Sequence, residues 1–274
     1  MWNVILLPLL AVAGGIGGAL LRRWELATAF DADGLAIAWA PASLVLIALS
    51  VLLTLAFALL SRGARHELKT YGDAFSASGS WLYLVAGALS AAYLLIAGLW
   101  GLREELLTGG GTHLLRLLLW VMCLISFFCV LSLVVRNFRG LGGGRYSLRL
   151  LMPAYTCCLW LVAAYQQRAA DPVVLDYVYE LFAIICSLLG LYFTAGFSFG
   201  RPRTWRCAFC CLLGVYFSLV TLADGHDWGT CALFLFSALY QLSAVTALLY
   251  HAFVKGPAPS PDQPNKTQEV SPDE

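Results

Sequence analysis

Residues 171–200 read DPVVLDYVYELFAIICSLLGLYFTAGFSFG, and this stretch decides the fold class. From Leu181 to Gly200 it holds no Asp, Glu, Lys or Arg, and an α-helix crosses the hydrocarbon core of a bilayer, roughly 30 Å thick, in about 20 apolar residues. Asp171 followed by Pro172 has the order of an N-cap and a first-turn proline. A helix from there to Phe199 would be about 40 Å long at 1.5 Å per residue, longer than the core. Glu180 is therefore expected near the outer interface, where a charge costs well below the roughly 3 kcal/mol of a helix centre. Tyr177, Glu180, Ser187, Thr194 and Ser198 recur at helical spacing and draw a polar ribbon down one face. Such a ribbon suggests a lined cavity, with Glu180 either a ligand or proton site or a structural group facing the headgroups or an arginine such as Arg168.

Working outward, the same reading finds eight spans, at about 3–21, 39–60, 80–101, 114–135, 148–165, 173–199, 205–223 and 229–253. The 274 residues are 60% hydrophobic and 12% charged, against about 45–50% and 25% in a soluble domain, which excludes an ordinary water-soluble fold. The expected class is an all-α polytopic integral membrane protein, a bundle of about eight transmembrane helices with short loops. Residues 1–255 form one helical domain, because no loop is long enough to fold separately. Residues 256–274 carry Pro257, Pro259, Pro261, Pro264 and Pro272 among polar residues and read as a disordered cytoplasmic tail.

Orientation follows from the basic residues of the short loops. With the amino terminus inside, twelve of the 17 Lys and Arg are cytoplasmic: Arg62, Arg65, Lys69, Arg136, Arg139, Arg145, Arg149, Arg201, Arg203, Arg206, Lys255 and Lys266. Both termini are then expected in the cytoplasm of a cell-membrane protein. Arg22 and Arg23 conflict with this locally, since they directly follow the first span and would be translocated. Ala11-Val12-Ala13 imitates a signal-peptide cleavage site, and cleavage would leave seven spans. Against it, no Lys or Arg precedes the apolar run, which continues to Leu21.

Membrane helices associate through small residues and a few hydrogen bonds. Gly14 and Gly18, the stripe Gly87, Ala91, Gly98 and Gly101, and the series Cys207, Cys211, Gly214, Ser218 and Thr221 all fit packing faces. In the last span Thr230, Ser237 and Gln241 share a face, and Gln241 is an amide deep enough to require a partner.

Other motifs carry less. Cys207 and Cys210 form a CxxC without a second ligand pair, and the remaining cysteines lie in apolar helices, where Cys acts as a small hydrophobe. Asp224-Gly225-His226-Asp227 could join Asp171 or Glu104 and Glu105 in a divalent-cation site, or be a polar turn anchored by Trp228. Gly196-Phe197-Ser198-Phe199-Gly200 has the GxSxG form, but at the end of an apolar helix instead of on a strand-to-helix elbow. Paired with His251, Ser198 loosely resembles an intramembrane serine protease. Glu104-Glu105 resembles the paired glutamates of CAAX-type intramembrane proteases, with Gly109 where those carry an arginine. The basic, Gly-rich loop 136–147 lacks a phosphate-cradling Gly-Lys-Ser/Thr and suits anionic lipid headgroups.

These features favour a small transporter, permease-like or channel-like, for a cation or small solute. Its polar path would be lined by Glu180, Ser187, Thr194, Ser237 and Gln241. The alternative class is a non-transporting scaffold, sensor or assembly factor, and a third is an intramembrane hydrolase. Expected partners are the lipid bilayer, anionic lipid at the cytoplasmic basic loops and a helix-mediated oligomer or membrane partner. No cofactor or metal is expected, and a net charge of +1 gives no sign of nucleic acid.

Overall fold

The computed structural model describes residues 2–31, 35–63, 66, 68–77, 79–107, 114–140, 147–168 and 173–256. Its helices are α1 (Trp2–Thr28), α2 (Pro41–Leu60), α3 (Tyr71–Phe75), α4 (Trp81–Leu107), α5 (Leu114–Phe138), α6 (Ser147–Arg168), α7 (Val174–Gly196), α8 (Thr204–Thr221) and α9 (Trp228–Tyr250). All except α3 are long and apolar enough to cross a membrane, and among the described residues there is no strand. The chain is a multi-pass α-helical membrane protein.

Local sequence explains where several helices begin. Pro41 opens α2, where its missing N–H costs nothing. Thr70 and Asp73 cap α3 reciprocally, each side chain accepting the other's backbone N–H. Asp227 caps α9 by accepting the Thr230 N–H at 3.1 Å. Gly200, at φ 69°, makes the left-handed turn between α7 and α8 that a β-carbon would oppose. The expected cap Asp171-Pro172, most of the Gly-rich loop and residues 257–274 lie outside the described residues.

Helices α4, α5, α6, α7, α8 and α9 each pack on the next, and α9 returns to α4, closing a six-helix ring. Helix α1 lies against α8 and α2 against α1, outside that ring. Close approach at glycines fixes these neighbours. A β-carbon on Gly18 would stand 2.6 Å from Val220 and one on Gly98 2.6 Å from Leu124, while one on Gly101 would overlap the Trp120 ring. Large apolar side chains such as Leu59, Leu82 and Leu114 stay exposed on the outside, the arrangement lipid solvates without penalty.

One expected boundary is corrected. Helix α1 does not stop at Leu21; it continues two turns through Arg22 and Arg23 to Thr28. A charge ends an apolar run only if it must reach water, and Arg22 finds carboxylates inside the protein instead.

Candidate functional site

The alternating helix directions bring the starts of α5, α7 and α9 and the ends of α1, α4, α6 and α8 to one end of the bundle. The chain's start and the end of α9 share the other end. At the first end a cavity of about 220 Å³ opens inside the ring. Its lining comes from α4 (Gly101, Glu104, Glu105), α5 (Arg116, Leu119, Trp120), α6 (Trp160, Ala163, Ala164, Gln167), α7 (Glu180) and the start of α9 (Asp227, Thr230).

Charge and shape divide along the cavity's depth. Trp120 lies one turn deeper than Arg116, and Trp160 two turns deeper than Gln167, so the indoles close the inner end. Trp160 packs on Phe234 with ring centroids 4.6 Å apart. Gly101 is required there, because any side chain would displace Trp120. Around the mouth stand four carboxylates, Glu104, Glu105, Glu180 and Asp227, and one guanidinium, Arg116. Glu104 accepts from Trp100 Nε1 at 2.8 Å. Gln167, with its amide oxygen turned to Arg116, accepts from Nε at 3.2 Å. Asp227 is committed to the α9 cap and to the Thr230 hydroxyl at 2.6 Å. Arg168 reaches Glu180 at 3.4 Å and Asp176 at 3.2 Å, the partner expected from the sequence.

A second polar system lies beside this mouth, between α1, α7 and the α8–α9 turn. Arg22 is 0% exposed. Its guanidinium donates to Glu25 at 2.7 Å, to Asp224 at 2.7 Å and to the backbone carbonyls of Leu175 at 3.2 Å and Asp176 at 2.5 Å. It also lies 5.2 Å from the centre of the Tyr179 ring. Asp224 accepts in addition from the Thr221 hydroxyl at 2.9 Å through Oδ2, and His226 Nε2 stands 3.9 Å from that same oxygen. The cluster ties α1, which lies outside the ring, to the first turn of α7, the helix that carries Glu180. Its signal in the sequence was an arginine, with Glu25 one turn on, placed where topology disfavours a positive charge.

The five residues of the expected polar path separate by depth. Glu180 lines the cavity, whereas Ser187, Thr194, Ser237 and Gln241 are buried further in, along α7 and α9. The Thr194 hydroxyl donates to the Gly190 carbonyl at 2.8 Å. The Gln241 amide lies between α7 and α8: a β-carbon on Gly190 would come within 2.7 Å of its oxygen, and one on Gly214 would overlap it.

The other constellations do not assemble. Among the described residues no three His, Cys, Asp or Glu side chains converge as metal ligands, and Asp171 lies outside them. His226 packs on Phe234 with centroids 5.1 Å apart and turns to Thr221 and Asp224. His251 Nε2 lies 2.9 Å from the Ser76 carbonyl and is not bonded to Ser198, so no serine–histidine pair stands at the GxSxG turn.

Eight spanning helices, six of them closing a ring round a charged cavity, define the class as a polytopic α-helical membrane protein. No protein-family model, curated protein or solved structure matches the chain.

Proposed function

We propose that this protein is a small permease-like transporter whose substrate is a cation or cationic solute, admitted through the cavity at the mouth of the six-helix ring. The observation that carries this reading is the lining itself: four carboxylates face one guanidinium in a cavity walled by helices and closed below by Trp120 and Trp160. Low-dielectric walls focus the field of such a group and concentrate cations at its mouth. Glu180 is the substrate-facing carboxylate on this reading, because it lines the cavity from a buried position and Arg168 leaves it with one long ion pair. The polar residues Ser187, Thr194, Ser237 and Gln241 continue the route inward. The acidic mouth faces the exterior and both termini face the cytoplasm, as the basic loops favour.

Thermal unfolding of the purified protein against a panel of inorganic cations and organic amines tests the proposal. A solute bound to the native state adds about 2.7 kcal/mol of stability at a hundredfold excess over its Kd. The expected result is a solute-specific shift that Glu180→Gln weakens. A flat panel, with Glu180→Gln as stable as the parent, would overturn it and send the search to protein partners.

A further inference from the structure

Hydroxyls in these helices normally bond to a carbonyl one turn back, and many do so here. Ser50, Thr54, Thr194 and Thr246 donate to the i−4 carbonyl at 2.7–2.8 Å. Four buried serines lack any partner among the described residues, Ser43 on α2 and three on helices of the ring. The hydroxyls of Ser187, Ser218 and Ser237 have no partner among the described residues, and neither does the oxygen or the nitrogen of the Gln241 amide. All four side chains are sealed from the surface, at 0%, 0%, 1% and 1% exposure.

They also stand together. The Gln241 amide of α9 lies against Gly190 on α7 and Gly214 on α8. Ser187 precedes Gly190 by three residues, Ser237 precedes Gln241 by four, and Ser218 follows Gly214 by four. Because α8 runs opposite to α7 and α9, all three steps lead toward the cavity end, by about 4.5–6 Å. Steps of three or four keep each serine on the face its helix already turns to the others. Three mutually packed helices thus bring three unpartnered hydroxyls within about a helical turn of an unpartnered amide.

We infer that Ser187, Ser218, Ser237 and Gln241 form a buried hydration site between α7, α8 and α9, occupied by ordered water two helical turns inward from Glu180. The chemistry selects the ligand. Each of the four side chains is neutral and both donates and accepts, so the complementary molecule is small, neutral and able to do both, and buried water bridges two to four such groups. None of the four can supply the charge that would favour a bare cation at this depth. As a stage on a solute route this site rests on the function proposed above; its occupancy by water does not. A route through it passes along the α7–α8–α9 seam and avoids the ring axis, which Trp120 and Trp160 close.

Hydroxyl-radical footprinting by X-ray radiolysis of the full-length protein in nanodiscs, read by mass spectrometry, tests the inference, because buried water labels the side chains beside it. Cys211 is a built-in probe. A β-carbon on Gly190 would lie 3.2 Å from its sulfur and 2.7 Å from the Gln241 oxygen, so the thiol neighbours the amide while being 1% exposed. Cys123 and Cys157 are controls, equally buried at 0% and 2%, beside a Ser126–Thr156 hydroxyl pair that satisfies itself at 2.7 Å. The expected result is oxidation of Cys211 several-fold faster than of Cys123 or Cys157, falling to their rate in Ser187→Ala/Ser218→Ala/Ser237→Ala. Gln241→Leu lowers it as well and serves if the triple variant does not fold. Equal rates for the three thiols in the parent would overturn the inference. So would a Cys211 rate that changes when sodium is replaced by N-methylglucamine, since a cation would then occupy the site. Glu180→Gln leaves the Cys211 rate unchanged, so a solute panel that fails while Cys211 is still labelled rejects the transporter and keeps the water.

Discussion

Replacing Arg22 by Met tests the ion cluster that fixes α1 to the ring. Met fills much of the same volume and is at home in a membrane helix, so the loss is confined to the guanidinium. Arg22 donates to Glu25 and Asp224, each at 2.7 Å, and to two α7 carbonyls, and it is fully buried. Without it the Glu25 and Asp224 carboxylates remain inside the protein and lose the guanidinium they share. Breaking a buried pair by removing one partner costs about 3–5 kcal/mol, mostly through the charge left behind, and here two charges are left. The expected loss is therefore at least about 3 kcal/mol in unfolding free energy, measured by titrating a denaturing detergent into mild-detergent micelles. Arg22→Met combined with Glu25→Gln and Asp224→Asn should recover most of that loss, because buried ion pairs are commonly replaceable by neutral groups at little net cost. A single variant within about 1 kcal/mol of the parent, well below the expected range, would refute the reasoning. So would a triple variant less stable than the single.

Two further outcomes are expected. Gly214→Ala should destabilise by about 1–3 kcal/mol, the usual scale for overpacking, since its β-carbon would overlap the Gln241 amide; Gln241→Ala in the same chain should restore stability, and a double-mutant cycle measures the coupling. For orientation, an impermeant maleimide should label Gly225→Cys on intact cells, whereas Thr267→Cys should react only after the membrane is opened, with the native thiols as background. The reverse pattern would invert the proposed topology.

The spans were legible because length and absence of charge are local properties of the chain, and the eight stretches read from them match the eight long helices. The end of α1 was not, because counting charges treats every arginine as seeking water and cannot see Asp224 arriving from 202 residues away. Helix α3 went unread inside the long loop between the second and third spans, although Thr70 and Asp73 stand at capping-box spacing. In the site, Glu180 and its approach to Arg168 could be anticipated, since the two are 12 residues apart in the chain and were both expected at the outer interface. Arg116 and Gln167 could not be connected to it, because helical periodicity says which face a residue occupies and nothing about which helix lies opposite. Ser218 illustrates the same limit. Within its own span it is one small residue of a packing stripe, and only the packing of α7 and α9 against α8 brings it within about a turn of the Gln241 amide.

The two ends of the bundle are held by different chemistry, and on the proposed transport reading that difference decides where a solute route opens. At the cavity end, Arg22 binds α1, α7 and the α8–α9 turn through ionic hydrogen bonds, while Arg168 ties α6 to α7. At the other end α3 sits between the end of α5 and the last turn of α9, held by hydrogen bonds and ring contacts. The Asn137 amide donates to the hydroxyls of Tyr71 and Tyr83 at 3.0 Å each, His251 Nε2 meets the Ser76 carbonyl at 2.9 Å, and Phe75 meets Phe197 edge-on with centroids 5.4 Å apart. Such hydrogen bonds contribute about 0.5–1.5 kcal/mol each, so the two that reach α3, at Tyr71 and at the carbonyl of its C-cap Ser76, hold it by about 1–3 kcal/mol, less than the roughly 5.5 kcal/mol that takes a two-state equilibrium from one extreme to the other. A ligand bound more tightly by the open arrangement supplies energy on that scale. Freeing the cavity end would instead require separating buried charges. On the proposed transport reading, α3 is therefore the element that moves while the Arg22 cluster stays closed, with Glu180 held in place on α7 as the fixed point of the route.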